Sequence, residues 1–220
     1  KDILTTHSVY WSTMLFALGL EPTKHLYAHG WWTIENQKMS KSIGNVVDPH
    51  LLIEAYGSDA VRFFLLREVP FGLDGNFSHN SFLTRYNAEL ANDLGNLVHR
   101  SLSMTEKWLG GLIPELDPPQ DSDLELEASF KSSVESYISN IEDLQFSSAL
   151  DALFALVRKG NKYIDINQPW RINSSGDTKR LGGVMRRCLE VCRASAYFLM
   201  PFMPNKSLEL LEKLNVSETD

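Results

Sequence analysis

Lys38-Met39-Ser40-Lys41-Ser42, followed by Ile43-Gly44-Asn45, sets two ammonium groups three residues apart around small hydroxyl residues. A lysine is a compact point charge on a flexible stem and can follow phosphate oxygens as they move. The serine hydroxyls and nearby backbone N–H groups supply further donors. The stretch suits a mobile loop that holds a polyphosphate. A solvated surface loop can have the same composition, so the order of the residues carries this reading, not their content.

Four further constellations could carry chemistry. Asp2 stands ahead of a helical pattern bearing His7 and Trp11. The carboxylate could accept ribose hydroxyls, and the two rings could line an apolar pocket. In His29-Gly30-Trp31-Trp32 the glycine could let a ligand approach the backbone, and a purine could pair with the main chain there. Asn96 and Arg100 lie one helical turn apart and could read base edges together. Pro169-Trp170-Arg171 could offer a stacking platform for an unpaired base, with Arg158, Lys159, Lys162 and Arg171 near it as phosphate contacts. Each set also has a plain structural explanation: a helix-start acid with a core Trp, an aromatic edge strand, a solvated polar face, or a Trp plugging the end of a bundle.

The elements that must position these residues change character midway. A helix from Thr5 or Thr6 to about Leu18, capped by one of the threonines and ended by Gly19, carries His7, Trp11 and Leu15 on one side. A short buried strand is expected over 24–30, extended chain through Ile34, and a turn at Glu35-Asn36-Gln37. A short helix after Asp48-Pro49 and another over 60–69 complete a mixed α and β region with functional loops after strands. From Ser78 onward the apolar spacing is helical throughout: a long helix capped by Ser78, a loop over 110–123, helices over about 124–144 and 147–168, a polar loop over 173–177, and helices over 178–199 and 207–214. Gly95 inside the first of these suggests a close backbone contact. The expected division is 1–77 and 78–220, the second part an all-α bundle.

Composition fits ordinary globular material: 220 residues, 43% hydrophobic and 22% charged. A formal net charge of −7 means that nucleic-acid binding must rest on a local basic patch. Cys188 and Cys192 share a helix face in an apolar setting and are expected to be buried free thiols. No apolar run reaches transmembrane length.

Taken together these segments resemble the methionyl-tRNA synthetases, a class I aminoacyl-tRNA synthetase family. Lys38 to Ser42 resembles the second class I signature. Lys1-Asp2-Ile3 with Tyr10-Trp11, His29-Gly30-Trp31-Trp32-Thr33, Tyr56-Gly57-Ser58-Asp59 and Arg62-Phe63-Phe64-Leu65-Leu66 resemble the family's successive catalytic and stem-contact segments. Asn92-Asp93-Leu94-Gly95-Asn96-Leu97 with Arg100, and Asn161-Lys162-Tyr163-Ile164-Asp165 with Gln168-Pro169-Trp170, resemble its anticodon-domain helices. The resemblance implies the C-terminal part of a Rossmann-like α/β catalytic domain followed by a helical anticodon-binding bundle, mostly α overall. It implies ATP-dependent methionine–tRNA ligation, with Mg²⁺ accompanying ATP, and L-methionine and tRNA(Met) as partners. Lys38 and Lys41 would flank the pyrophosphate. Asp2, Gly30, Trp32, Met39, Ser40 and Ser42 would complete the ATP site. Asp2, Ile3, His7 and Trp11 would border methionine, and Asn96, Arg100 and Trp170 would read the anticodon. The family's first signature, H-I-G-H, and its zinc-carrying insertion are not among these residues. The expectation is therefore a piece lacking the N-terminal half of the catalytic domain, with no zinc of its own and unable to form methionyl-adenylate alone. A cytoplasmic location is expected, with an organellar matrix or stroma as the alternative. A non-catalytic tRNA-binding module is the alternative function.

Overall fold

The computed structural model describes residues 3–216 apart from 35, 41, 43, 113 and 114, so Asp2 and Lys41 lie outside the described residues. Helix α1 is π-helical over Thr6–Trp11 and α-helical over Ser12–Ala17. Strands β1 (Trp32–Ile34) and β2 (Gln37–Lys38) follow. Helices α2 (Pro49–Tyr56) and α3 (Ser58–Arg67) lead to strand β3 (Gly75–Phe77). A long helix then runs through α4 (His79–Arg85), a π-helical stretch Tyr86–Gly95 and α5 (Asn96–Leu109). Helices α6 (Asp121–Glu142), α7 (Phe146–Asn167), α8 (Pro169–Ser175), α9 (Thr178–Leu199) and α10 (Pro204–Lys213) close the chain. The fold is mostly α with one small mixed sheet in the order β2-β1-β3.

Local chemistry accounts for many of the boundaries. Asp48 accepts from the His50 amide and Pro49 opens α2, a favourable start because the first helical N–H has no partner to lose. Ser78 accepts from the Ser81 amide, as expected, and opens the long helix. At α6 the Gln120 and Asp123 side chains cap each other's backbone reciprocally. Gly110 adopts φ +64 and ends α5.

Several expectations need correction. Thr5 and Thr6 do not cap α1: the backbone is already helical at Thr5, and neither side chain makes a cap hydrogen bond. Residues 24–30 form extended chain and not a buried strand; all but half-covered Ala28 and buried Gly30 are exposed, and no described strand pairs with them. Strand β3 was not expected; it pairs in parallel with β1, Trp32 opposite Gly75 and Ile34 opposite Phe77. Trp170 stands just past the end of α7, as expected, but it sits in α8, which runs on through Ser175 into the stretch expected to be a polar loop over 173–177. The close contact at Gly95 is with its own helix, because the π turn brings the Leu90 carbonyl to 3.1 Å from where a Cβ would stand.

Two apolar cores meet at α3. Phe63 joins the bundle core and packs edge-on against Phe154 at 5.7 Å. Its neighbour Phe64 faces the sheet, meeting Phe77 at 5.6 Å, Phe82 at 5.1 Å and Trp32 at 6.1 Å. Each such buried ring contributes about 1.5–3 kcal/mol. Cys188 and Cys192 are buried and free in α9, and burial pushes the Cys192 thiol up to about 12.

The bundle also holds a buried ionic cluster. Arg180 donates to Asp123 at 2.6 and 3.0 Å, to Asp117 at 3.1 Å and to Asn167 at 2.6 Å, while Arg187 meets Asp117 at 2.7 Å. It ties α9 to α6, the end of α7 and the segment before α6. Burial alone would raise the pKa of Asp123, but donation from Arg180, the Gln120 amide and the Tyr163 hydroxyl outweighs it and holds the carboxyl below its ordinary value. A carboxyl depressed in the folded state stabilises the fold above its unfolded pKa, and that stability is lost as pH falls through the folded value. Asp123→Asn should lower the unfolding free energy at pH 7 by about 3–5 kcal/mol, because Arg180 is left partly unpaired in a dry site. The difference from the parent chain should shrink below about pH 4. Urea denaturation at pH 7 and pH 3.5 checks both.

Candidate functional site

The lysine–serine loop leaves β2 at Lys38, which pairs across the hairpin with Thr33. Asn36 supplies the left-handed turn residue at φ +64, and its amide donates to the Asn76 side chain at 2.8 Å. The Lys38 ammonium stands 4.8 Å over the Trp31 ring. Ser40 and Ser42 hydroxyls meet at 2.8 Å. Met39 lines an apolar pocket of about 200 Å³ with Trp32, Val47, Leu52, Phe64 and Phe82. Its side chain faces the sheet-side core beside the loop. Asn45 was not singled out from the sequence. Its amide donates to the Lys38 carbonyl at 3.2 Å and its oxygen accepts from the Ser40 N–H at 2.8 Å, which closes the loop on itself. The local signal was the Gly44-Asn45 pair, with Gly44 at φ +77.

Gly30 is buried for a reason other than the expected one. A Cβ there would lie 1.8 Å from the Leu73 carbonyl oxygen and 2.7 Å from the Asp74 nitrogen. The close approach is made by the chain itself, and the Trp31 N–H then donates to Asp74 at 2.9 Å. Trp32 is half-buried, one residue before the β1–β2 register begins at Thr33. Ile3 and His7 line a pocket of about 210 Å³ with Leu26, Tyr27, Ala28 and His29. His7 and Trp11 also line a shallow apolar concavity with Tyr10 and Met14. Ile3, His7 and Trp11 are all exposed, so the structure brings them to one flank without enclosing them.

The other candidates gather on the bundle. Asn96 is exposed at the first turn of α5, and Arg100 follows one turn later. Arg100 donates to Asp165 of α7 at 2.6 Å. Five residues beyond Asp165 stands Trp170, 42% exposed, carried round the corner by Gln168 in the left-handed region and by buried Pro169. Arg100 and Trp170 thus belong to one end of α7, while Asn96 shares only its helix with Arg100. Two of the basic residues expected to be free are not: Arg158 pairs with Asp93 at 3.3 Å and Lys159 with Glu125 at 2.9 Å. Lys162 and Arg171 are exposed.

Known proteins share this arrangement. Residues 1–102 match the family model described as tRNA synthetases class I (M), and residues 113–220 match the anticodon binding domain of methionyl tRNA ligase. The fold and its loop are those of a class I tRNA synthetase joined to a helical anticodon-binding domain. The methionine–tRNA ligase of Caldanaerobacter subterraneus subsp. tengcongensis is 43% identical over 222 residues, covering 99% of this chain and 34% of the relative, and that of Clostridium tetani is 41% identical over 223 residues, covering 100% and 34%. Mycobacterium tuberculosis methionyl-tRNA synthetase in complex with methionyl-adenylate superposes with a TM-score of 0.94 at 39% identity, covering 99% of this chain and 43% of that one. The chain belongs to the methionyl-tRNA synthetase family. It spans about a third of the length of the curated relatives it matches.

Two substitutions separate scaffold from loop. Gly30→Ala should destabilise the fold by about 2 kcal/mol or more, because both atoms it meets are backbone and cannot turn aside; a thermal melt reads this. Asn45→Ala should leave the melt within about 2 °C of the parent, since the loop is exposed and local. It should speed hydrogen exchange at the Ser40 amide, whose acceptor it removes.

Proposed function

We propose that this chain contributes to a methionine–tRNA ligase, which activates methionine with ATP and transfers it to tRNA(Met). Residues 1–77 would form part of the catalytic domain and 78–220 the anticodon-binding domain. In the activation step the methionine carboxylate oxygen attacks the ATP α-phosphorus, the bond to the bridging oxygen breaks, and pyrophosphate leaves with the electron pair. A terminal hydroxyl of the tRNA then attacks the acyl-adenylate and releases AMP. Protein groups need do little covalent chemistry here; positioning and charge stabilisation dominate.

Lys38 and Lys41 flank the leaving pyrophosphate, with Ser40 and Ser42 donating to its oxygens and Asn45 holding the loop closed. The main chain at Gly30 and Trp32 receives the adenine, and Asp2 the ribose. Ile3, His7 and Trp11 border the methionine side chain. Among the described residues no group of three or more His, Cys, Asp or Glu side chains could hold a metal, and the loop offers donors rather than carboxylates. Mg²⁺ would accompany ATP and share the charge of its phosphates. No described helix is long and apolar enough to cross a membrane.

On the bundle, Asn96 and Arg100 read base edges of the CAU anticodon and Trp170 stacks on an unpaired base. The observation that carries this reading is the pairing of Arg100 with Asp165, which sets a guanidinium at the same end of α7 as an exposed indole. A CAU stem-loop should bind more tightly than one altered at the first anticodon base. Trp170→Ala should weaken CAU binding by about 1–3 kcal/mol and remove the preference. Fluorescence anisotropy with the two labelled RNAs measures this, and equal binding of both RNAs before and after the substitution would overturn the reading.

A further inference from the structure

Asp93 lies where the π-helical stretch gives way to α5, and its carbonyl is doubly used. It accepts from the Asn96 N–H within the helix and from the Asn161 Nδ2 of α7 at 2.8 Å. Its carboxylate meets Arg158, one turn earlier on α7, at 3.3 Å. Asp165, one turn later, receives Arg100. Residues 158, 161 and 165 share one face of α7. That single face therefore grips the π-to-α junction twice and the helix beyond it once.

The junction matters because of helical geometry. A segment that runs i→i+5 in place of i→i+4 changes the direction in which every later side chain points; a slip of one residue in an α-helix is a rotation of about 100°. A wide turn that relaxed to α would swing Asn96 and Arg100 off the face they occupy. Long π-helical runs are rare and need outside support. Asn161 supplies it with a half-buried donor. Its own Oδ1 is buried and has no partner, so the residue is kept at a cost of roughly 1–3 kcal/mol for the sake of its Nδ2.

We propose that Asn161, aided by Arg158, is a positioning residue for anticodon reading: it pins the π-to-α junction at Asp93 and so fixes the rotation of Asn96 and Arg100 toward the RNA. This rests on the anticodon reading above. The test titrates the full chain with the CAU stem-loop and with the RNA altered at its first anticodon base, and reads the ratio of the two dissociation constants. Asn161→Leu keeps shape but removes both the donor and the orphaned oxygen. It should shrink the ratio about tenfold while shifting the melt by only a few degrees. Arg158→Gln, at a half-exposed side chain, should shrink the ratio about threefold. If Arg158 merely touched phosphate, both affinities would fall alike and the ratio would hold. Arg100→Ala serves as the control that loses discrimination directly. A parent ratio preserved in both Asn161→Leu and Arg158→Gln, but lost in Arg100→Ala, overturns the positioning role. A folded parent chain that binds both RNAs equally overturns the anticodon reading and this role with it. Should Asn161→Leu fail to fold, Arg158→Gln decides alone.

Discussion

Helix α3 is apolar on two faces, about 100° apart at Phe63 and Phe64, and the rest of the molecule is arranged around that constraint. Phe63 and Phe64 are adjacent and enter different cores. A helix committed to two cores cannot slide toward either without emptying the other. Its polar residues are committed as well. Buried Asp59 accepts from the Lys206 N–H at 2.7 Å and from Asn205 at 2.9 Å, which caps α10 from outside. Arg62 donates to the Pro201 and Phe202 carbonyls just before that helix. Arg67 is buried between Glu89, Asp151 and the Ser147 carbonyl. Burial favours the neutral form of Arg67, but its two carboxylate partners outweigh this and raise its pKa. A charge in so dry a place is tolerable only with partners, so these contacts fix orientation more than they add net stability.

The loop and the RNA-facing end are both referenced to this helix. On the sheet side, Met39 enters the pocket that Phe64 and Val61 help to line. On the bundle side, Glu89 of the π-helical stretch holds Arg67, and Arg85 joins Glu68 to Glu89. The π geometry that orients Asn96 thus begins at a residue anchored to α3 and ends at one anchored to α7.

Much of this was legible in the sequence. The apolar spacing marked the bundle helices, and α9 begins and ends where expected because Asp177 caps it and Pro201 follows it. The two thiols read correctly as buried. The lysine–serine loop was found by residue order. What the sequence hid depends on partners far along the chain. Nothing in the local sequence joins Asp117, Asp123, Arg180 and Arg187, which meet across some sixty to seventy positions. Strand β3 is three residues long, too short for exposed Asn76 between buried Gly75 and Phe77 to read as a strand, so only pairing with β1 defines it. The π-helical runs carry no periodic signal of their own, since the surrounding pattern is α. Gly30 was read as a place where a ligand nears the backbone; that the chain's own Leu73 and Asp74 fill the space is a tertiary fact. The acidic partners of Arg158 and Lys159 sit on other helices, so these pairs could not be read from α7 alone.

The exposed apolar flank around α1 has a consequence for the molecule in bulk solution. Val9, Tyr10, Trp11, Met14, Phe16 and Leu18 all lie open to solvent, with Leu20, Leu26 and Tyr27 beyond them. Against this stands only the mutual repulsion of copies bearing seven net negative charges. That repulsion is screened within about 10 Å at 0.1 M salt, whereas apolar attraction is not. Attraction through this flank therefore gains on repulsion as ionic strength rises, independently of how firmly the bundle is folded.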